Sequence, residues 1–407
     1  MVGGIDRTQV RVVCWRRPLG SGRLYHAPTD PPSGRGPSSQ FASRKVRPIM
    51  STLLDSSEPD WLVTMPKVEL HVHLEGTLNP ATLLTLARRY DVDLGIGDEQ
   101  PVDSLFKYGN FTEFIETFTM CSDCLRTAAD LGQAVDAYAV DLSRQGVRYA
   151  ELHFNPEPHV RKRGLSFTAM LDGMNRGRMV VRHRFGVEMR WIADGVRDAE
   201  SGPISVMITV DWLTGLTFAD GVVALGLGGD EIGHPPAQFA AAFAKARAAG
   251  LHTVAHAGET TGPETIWSSL RDLQVERIGH GVRAVDDPLL LAHLAEAGIP
   301  LEMCPTSNVR TRVVDQPTAH PFRRIDKAGV CVTVNTDDPA LFGCTLTDEY
   351  RVLTRDFGYQ LDDIKRISIN AVEASFLVPE QKRSTIAEFR ESWTPLLDDL
   401  GAGSPAQ

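Results

Sequence analysis

Two histidines two residues apart, His71 and His73, stand in the run Lys67–Val68–Glu69–Leu70–His71–Val72–His73–Leu74–Glu75. The run reads as a strand, on which residues i and i+2 share a face. Two imidazoles on one face can grip one metal ion. The polar face of an edge strand would show the same pattern. His256 closes a second apolar run and leads into Ala257–Gly258–Glu259, where Gly258 permits a tight turn that brings Glu259 toward a ligand. His280 sits between Gly279 and Gly281 at the end of a third run. A lone strand-end histidine is more often a satisfied structural residue than a ligand. Asn335–Thr336–Asp337–Asp338–Pro339 ends a fourth run. Adjacent carboxylates repel, so Asp337 and Asp338 together call for a cation, although an Asx turn before Pro339 accounts for an aspartate there equally well.

Each signal alone is modest, but together they gather histidines, a glutamate and two aspartates at strand ends. Three nitrogens and one carboxylate suit zinc and leave a position for water. Zinc lowers the pKa of a coordinated water to about 7. The expected chemistry is therefore that of a zinc hydrolase.

The elements that must position these residues alternate. Short β-rich runs are expected at Val68–His73, Arg148–Phe154, Glu188–Ala193, Val222–Gly228, Leu251–His256, Arg277–Gly281, Ile299–Cys304 and Val330–Asn335. Amphipathic helical stretches separate them. Gln238–Ala249 is stopped by Gly250, Asp287–Ala297 carries Pro288 in its first turn and is stopped by Gly298, and His320–Ala328 is closed by Gly329. Eight strands alternating with helices predict an α/β fold of the (β/α)8 TIM-barrel type, in which catalytic residues collect at the C-terminal ends of the strands. The chemical residues fall at the ends of the first, fifth, sixth and eighth runs. A doubly wound sheet would also alternate, but no strand–GxGxxG–helix unit is present, and Asp230 and Glu231 after the Gly-rich run would repel a phosphate. Residues 80–145 are too long for one crossover helix and are expected to form several extra helices near the barrel mouth.

The chain has 407 residues, 42% of them apolar, enough for a large core. Its net charge of −10 disfavours phosphate backbones as the main partner. Six cysteines without framework spacing argue against a disulfide scaffold. No stretch of about 18 apolar residues can span a membrane. A soluble, cytoplasmic protein acting on a small molecule is expected; the oligomeric state is not legible. Residues 1–49 hold nine basic and two acidic residues, a charge of +7 that leaves −17 on the remainder. They are expected to form a disordered basic extension, or to precede a true start at Met50. The barrel domain is expected over 50–385 and a C-terminal tail over 386–407.

Five segments in this order resemble the adenosine/adenine deaminase family: Pro66 to Gly76, His256 to Glu259, Arg277 to Gly281, Cys304–Pro305–Thr306–Ser307–Asn308, and Asn335 to Pro339. The resemblance runs from about Pro66 to Glu373. It implies an amidohydrolase-like barrel that holds one Zn2+ per chain and hydrolyses the 6-amino group of a purine. By that resemblance His71, His73, His256 and Asp337 are the zinc ligands. Glu259 resembles the acid that protonates purine N1, which lets C6 accept an attacking oxygen without a ring anion accumulating. His280 resembles the residue that orients or deprotonates the attacking water. Asp338 would hydrogen-bond that water and purine N7, and the Gly229 backbone would donate to N3.

One position departs from the pattern. Many adenosine deaminases carry His-Leu-Asp-Gly, whose Asp meets the ribose 5′-hydroxyl, whereas this chain has His73–Leu74–Glu75–Gly76. Glu75 instead resembles adenine deaminases and the deaminases of 6-aminodeoxyfutalosine, a menaquinone precursor modified at its 5′ end. The runs Gly226–Glu231 and Thr306–Thr311 look nucleoside-type. The expected substrate is an adenine nucleoside, adenosine or deoxyadenosine, with 6-aminodeoxyfutalosine or adenine as alternatives. Arg161, Lys162, Arg163, Arg310 and Arg312 could meet a carboxylate on a 5′-modified substrate; a solvated basic loop would explain Arg161 to Arg163 as well. Three rivals differ in class. A cytidine-type site would use Cys121 and Cys124, but Met120 stands where that pattern needs proline. A binuclear site would want a strand-end lysine, and none is present. A catalytically silent purine-binding relative would not be expected to keep both Glu259 and His280.

Overall fold

A computed structural model of the chain describes residues 61–96, 101–197 and 202–402. Residues 1–49, expected as a basic extension, lie outside the described residues. Eight strands form one sheet: β1 Lys67–His73, β2 Val147–Phe154, β3 Glu188–Val196, β4 Val222–Gly228, β5 His252–Ala257, β6 Arg277–His280, β7 Leu301–Met303 and β8 Val332–Val334. Their order is sequential and every pair is parallel. The chain after β8 returns to β1: Asp337 N–H donates to His71 O (3.1 Å) and His73 N–H donates to Asp337 O (2.8 Å). These bonds draw the two ends of the sheet together into a barrel and tie Asp337 to the histidine strand.

All eight strands expected from the sequence are present, β4 at the expected bounds and the others with at least one end displaced by one to three residues. β7 and β8 are shorter than expected, although single backbone bonds continue past their ends, from Ile278 N–H to Pro300 O, Leu301 N–H to Cys331 O and Asn335 N–H to Met303 O. The strands are buried along nearly their whole length, as a parallel sheet covered by helices requires. The expected helix over Gln238–Ala249 divides into a 3-10 turn at Pro236–Phe239 and an α-helix at Ala240–Ala248. Pro288–Ala297 begins at Asp287, whose side chain accepts from Leu289 and Leu290 N–H, and ends at Gly298 in the left-handed region at φ 65°.

The long segment after β1 forms helices Pro80–Tyr90, Phe111–Ser122 and Ala128–Arg144 and a 3-10 turn at Val102–Phe106. They serve two purposes. Ala128–Arg144 packs on the helix Phe167–Phe185 in the outer ring. Their backbones approach so closely that a Cβ on Gly173 would lie 2.1 Å from Ala128 O. Phe111–Ser122 instead lines the barrel mouth. The boundary expected at 386 falls within a continuous helix, Pro379–Ala402. Phe389 of this helix is buried in a cluster with Val68, Leu70 and Tyr149, so the helix belongs to the barrel's packing at least that far. No helix among the described residues is long and apolar enough to cross a membrane.

Candidate active site

The barrel mouth opens into a cavity of about 1190 Å3, its open end included. At its floor His73, His256, Glu259, His280, Asp337 and Asp338 converge from β1, β5, β6 and the segment after β8. His71 lies directly beneath, fully buried, its ring centroid 4.5 Å from that of His256. His280 (φ 60°) and Asp337 (φ 67°) both adopt the left-handed backbone conformation. Such geometry costs about 1–3 kcal/mol per residue and persists where surrounding contacts enforce it.

Four donor atoms fit a metal. His73 Nε2 is 3.2 Å from His256 Nε2 and 3.3 Å from Asp337 Oδ1, and His71 Nε2 is 3.5 Å from the same oxygen. Zinc bonds of about 2.0–2.1 Å in tetrahedral geometry set ligand atoms about 3.3 Å apart, which matches these separations. His71 Nε2 is buried without a protein hydrogen-bond partner, as expected of an atom that faces a cation. The four-residue grouping whose ligand atoms all lie within 4.8 Å of one another is His71, His256, His280 and Asp337, with His280 in place of His73. His280 Nε2, however, lies 3.6 Å from Glu259 Oε2 and 3.8 Å from the other Asp337 oxygen, Oδ2. The short separations favour His73 as the ligand and place His280 beside the metal position.

The groups behind the ligands fix their rings. His71 Nδ1 bonds Glu302 Oε2 at 2.8 Å, and Glu302 is held by Arg277 Nε at 2.5 Å. His256 Nδ1–H donates to Leu227 O at 3.0 Å. Asp194 lies 3.7 Å from His73 Nδ1 and bonds His153 Nδ1 at 2.9 Å. Gly226 makes this possible, since a Cβ there would sit 1.8 Å from Asp194 Oδ1. Ser307 Oγ donates to Asp337 Oδ2 at 2.6 Å. Glu302, His153, Asp194, Ser307 and Asn308 are therefore parts of the site that motif reading had not singled out for roles.

The charges show what the site needs. Burial opposes charge on His71, but Asp337 and Glu302 outweigh it and hold the imidazole up at about 9; the same balance, led by Asp337, holds His73 at about 10. Protons on these two rings supply the positive charge that the buried carboxylates require when no metal does. Burial first, then Asp337 and Glu231, raise Glu259 well above the usual carboxyl range. Burial and Asp337 do the same for Asp338. Both carboxyls have a high affinity for a proton. Glu231 also anchors the loop that carries Glu259, accepting from Gly258 N–H (3.0 Å) and Glu259 N–H (2.9 Å).

Two expectations are placed differently, those for Glu75 and for Arg310 and Arg312. Glu75 is not among the cavity-lining residues. Its Oε1 accepts from Asn155 N–H at 2.9 Å and faces His159 Nε2 at 3.5 Å, so its carboxylate supports Asn155, which does line the cavity. Arg161, Lys162 and Arg163 line the cavity mouth, whereas Arg310 and Arg312 do not. Cys121 and Cys124 are buried in packing, and no candidate metal cluster among the described residues contains a cysteine. Gly229 lines the cavity at φ 90°, a conformation that suits glycine.

The chain's likeness to known proteins agrees with this site. The adenosine deaminase family model matches residues 66–392. An aminodeoxyfutalosine deaminase of Streptomyces coelicolor is 40% identical over 359 residues, covering 86% of this chain and 92% of that protein. Among solved structures, an adenine deaminase from Arthrobacter aurescens superposes with a TM-score of 0.76 at 31% identity, over 81% of this chain and 99% of that one. An amidohydrolase from Burkhoderia ambifaria, solved with bound Zn, superposes with the same TM-score at 28% identity, over 84% and 94% of the two chains. A barrel whose strand ends carry a single zinc site, matched by that family over most of its length, makes this chain a member of the adenosine deaminase family and a zinc-dependent hydrolase of purine amino groups.

Proposed function

We propose that the chain deaminates an adenine nucleoside carrying an extended, acidic 5′ substituent, of which 6-aminodeoxyfutalosine is the named case. The observation that carries this reading is the cavity beyond the metal position. It is walled by Phe111, Phe114, Ile115 and Phe118 and edged by Arg161, Lys162 and Arg163. Adenine fills only the floor of such a space, and adenosine places nothing against its edge, where Arg161 pairs with Glu157, Arg163 pairs with Asp123 and Lys162 adds a third cation. A substituent with an apolar body and an anionic end would use both. Unmodified adenosine, the main expectation from sequence, has no such support. The relatives named above act on aminodeoxyfutalosine and adenine by name. Free adenine is the second reading, supported by the structural likeness to an adenine deaminase.

In this reading His71, His73, His256 and Asp337 hold the zinc, which when bound makes water nucleophilic at neutral pH. Glu259, with its high proton affinity, delivers a proton to purine N1. His280 orients the attacking water, and Asp338, whose carboxyl readily holds a proton, donates that proton's hydrogen bond to purine N7 and accepts one from the water with its other oxygen. The Gly229 N–H meets N3. Glu75 acts indirectly, by positioning Asn155 at the cavity wall. Gly76 leaves the space that Asp338 occupies, since a Cβ there would lie 1.8 Å from Asp338 Oδ1. The test is a comparison of kcat/KM for 6-aminodeoxyfutalosine, adenosine, deoxyadenosine and adenine. The 5′-extended nucleoside should exceed adenosine by at least about tenfold, the discrimination expected from one satisfied charge pair. Equal or greater kcat/KM for adenosine or adenine would refute the assignment.

A further inference from the structure

His280 reaches the cavity floor from a short chain of hydrogen bonds that leads back to a backbone amide. Phe322 N–H donates to His320 Nδ1 at 3.1 Å. His320 Nε2 lies 3.1 Å from Asn308 Oδ1, and Asn308 Nδ2 lies 3.2 Å from His280 Nδ1. His320, Asn308 and His280 are buried, and the His320 ring is stacked on Phe357 with centroids 5.7 Å apart, which fixes its plane.

The direction of every bond in this chain follows from its first member. A backbone N–H can only donate, so His320 Nδ1 accepts and carries no proton. A neutral imidazole has one N–H, which must then be on His320 Nε2. That N–H donates, so Asn308 turns its oxygen toward His320 and its NH2 toward His280. The NH2 can only donate, so His280 Nδ1 accepts. The reverse arrangement, with a proton on His280 Nδ1, would require Asn308 to donate to a His320 bare at both nitrogens, an imidazolate. Burial also pushes His320 down to about 3, which keeps it neutral.

We propose that the Phe322–His320–Asn308 relay locks His280 with its proton on Nε2, so that His280 presents a hydrogen-bond donor, and no acceptor, to the reacting centre. His280 Nε2–H points toward Glu259 Oε2 at 3.6 Å and Asp337 Oδ2 at 3.8 Å, the space where the attacking oxygen and the purine meet. A donor there orients that oxygen and stabilises charge on it. It does not remove its proton. Asn308 and His320 are then positioning residues that act through His280. The catalytic consequence rests on the deaminase reading; the proton's location does not.

Two measurements on the zinc-loaded full-length protein test this. The first is a long-range 1H–15N spectrum of the histidine rings, with His280 assigned by the signals lost in His280→Gln. The relay requires an unprotonated, pyridine-like Nδ1 and a protonated, pyrrole-like Nε2 for His280; a protonated Nδ1 overturns the proposal. The second compares His320→Leu with His320→Gln, whose side-chain Nε2–H can occupy the place of the imidazole Nε2–H. His320→Leu should lower kcat by about tenfold to hundredfold, the scale of a misaligned catalytic group, with KM and zinc content little changed. His320→Gln should restore most of that loss. If glutamine is as impaired as leucine, His320 serves packing alone and the relay is wrong. A parent chain that deaminates no adenine compound would overturn the activity reading while leaving the ring spectrum to decide the tautomer.

Discussion

Glu302→Gln removes one negative charge behind the metal position and changes almost nothing in volume. In the parent, Glu302 Oε2 accepts from His71 Nδ1–H at 2.8 Å and Oε1 forms an ion pair with Arg277 Nε at 2.5 Å. A glutamine has one oxygen for these two donors. Arg277 cannot give up its proton, so it takes the oxygen and the amide NH2 faces His71 Nδ1. That favours the His71 tautomer with its proton on Nε2, the atom that must be bare to bind zinc. The parent bond is charge-assisted and worth about 1.5–3 kcal/mol. At 1.4 kcal/mol per tenfold, zinc affinity should fall by about 10- to 150-fold. The fold should survive, because Arg277 keeps Glu151 at 2.6 Å and Ala374 O at 2.9 Å. The assay is competition for zinc against a fluorescent chelator at fixed pH, with circular dichroism as a control for folding. A folded Glu302→Gln protein that binds zinc within about threefold of the parent would refute the claim that Glu302 sets the His71 tautomer.

Glu259→Gln should keep a full equivalent of zinc yet lose about two or more orders of magnitude in kcat, because glutamine cannot deliver a proton to N1; unchanged turnover would remove Glu259 from that role. Glu349, buried beside Thr306, bears on stability rather than catalysis. Burial raises its carboxyl from 4.5 to about 8, against a smaller opposing effect of its bond from Thr306 N–H. The folded state thus holds a proton that the unfolded chain releases above its own, lower pKa. The stability this confers is complete below about pH 4.5 and is lost as pH rises to about 8, up to about 5 kcal/mol in all. Glu349→Gln should therefore gain stability relative to the parent across that window in denaturant unfolding. Parallel stability curves for the two proteins would show that Glu349 ionises freely in the fold.

The barrel was legible because its strands are short, apolar and separated by capped helices, as at Asp287, Pro288 and Gly298. The residues that meet at its floor were legible because each sits at a strand end, beside a glycine or a second carboxylate. The carboxylates behind them were harder to see. Glu302 lies in Leu301–Glu302–Met303, and His153 and Asp194 lie in equally apolar surroundings. A charged residue inside a buried parallel strand is itself a signal, since burial demands a partner, but the partner's identity comes only from the closed barrel. His320 and Asn308 are 12 residues apart and meet through a turn that no periodicity announces. Glu75 was assigned to the substrate from its place after His73. The structure turns its carboxylate toward Asn155 instead, because the 3-10 turn at Glu75–Thr77 carries it away from the cavity lining. The strand ends and the residue 386 boundary were misjudged for a common reason: tertiary hydrogen bonds and buried aromatics such as Phe389, rather than local composition, decide where those elements stop.

The most direct test measures bound metal and ammonia release on the same preparation. The account predicts one equivalent of zinc per chain, loss of ammonia release when a chelator removes it, and recovery when zinc returns. Purified protein that contains no metal, or that releases ammonia at an undiminished rate in the presence of the chelator, would contradict it.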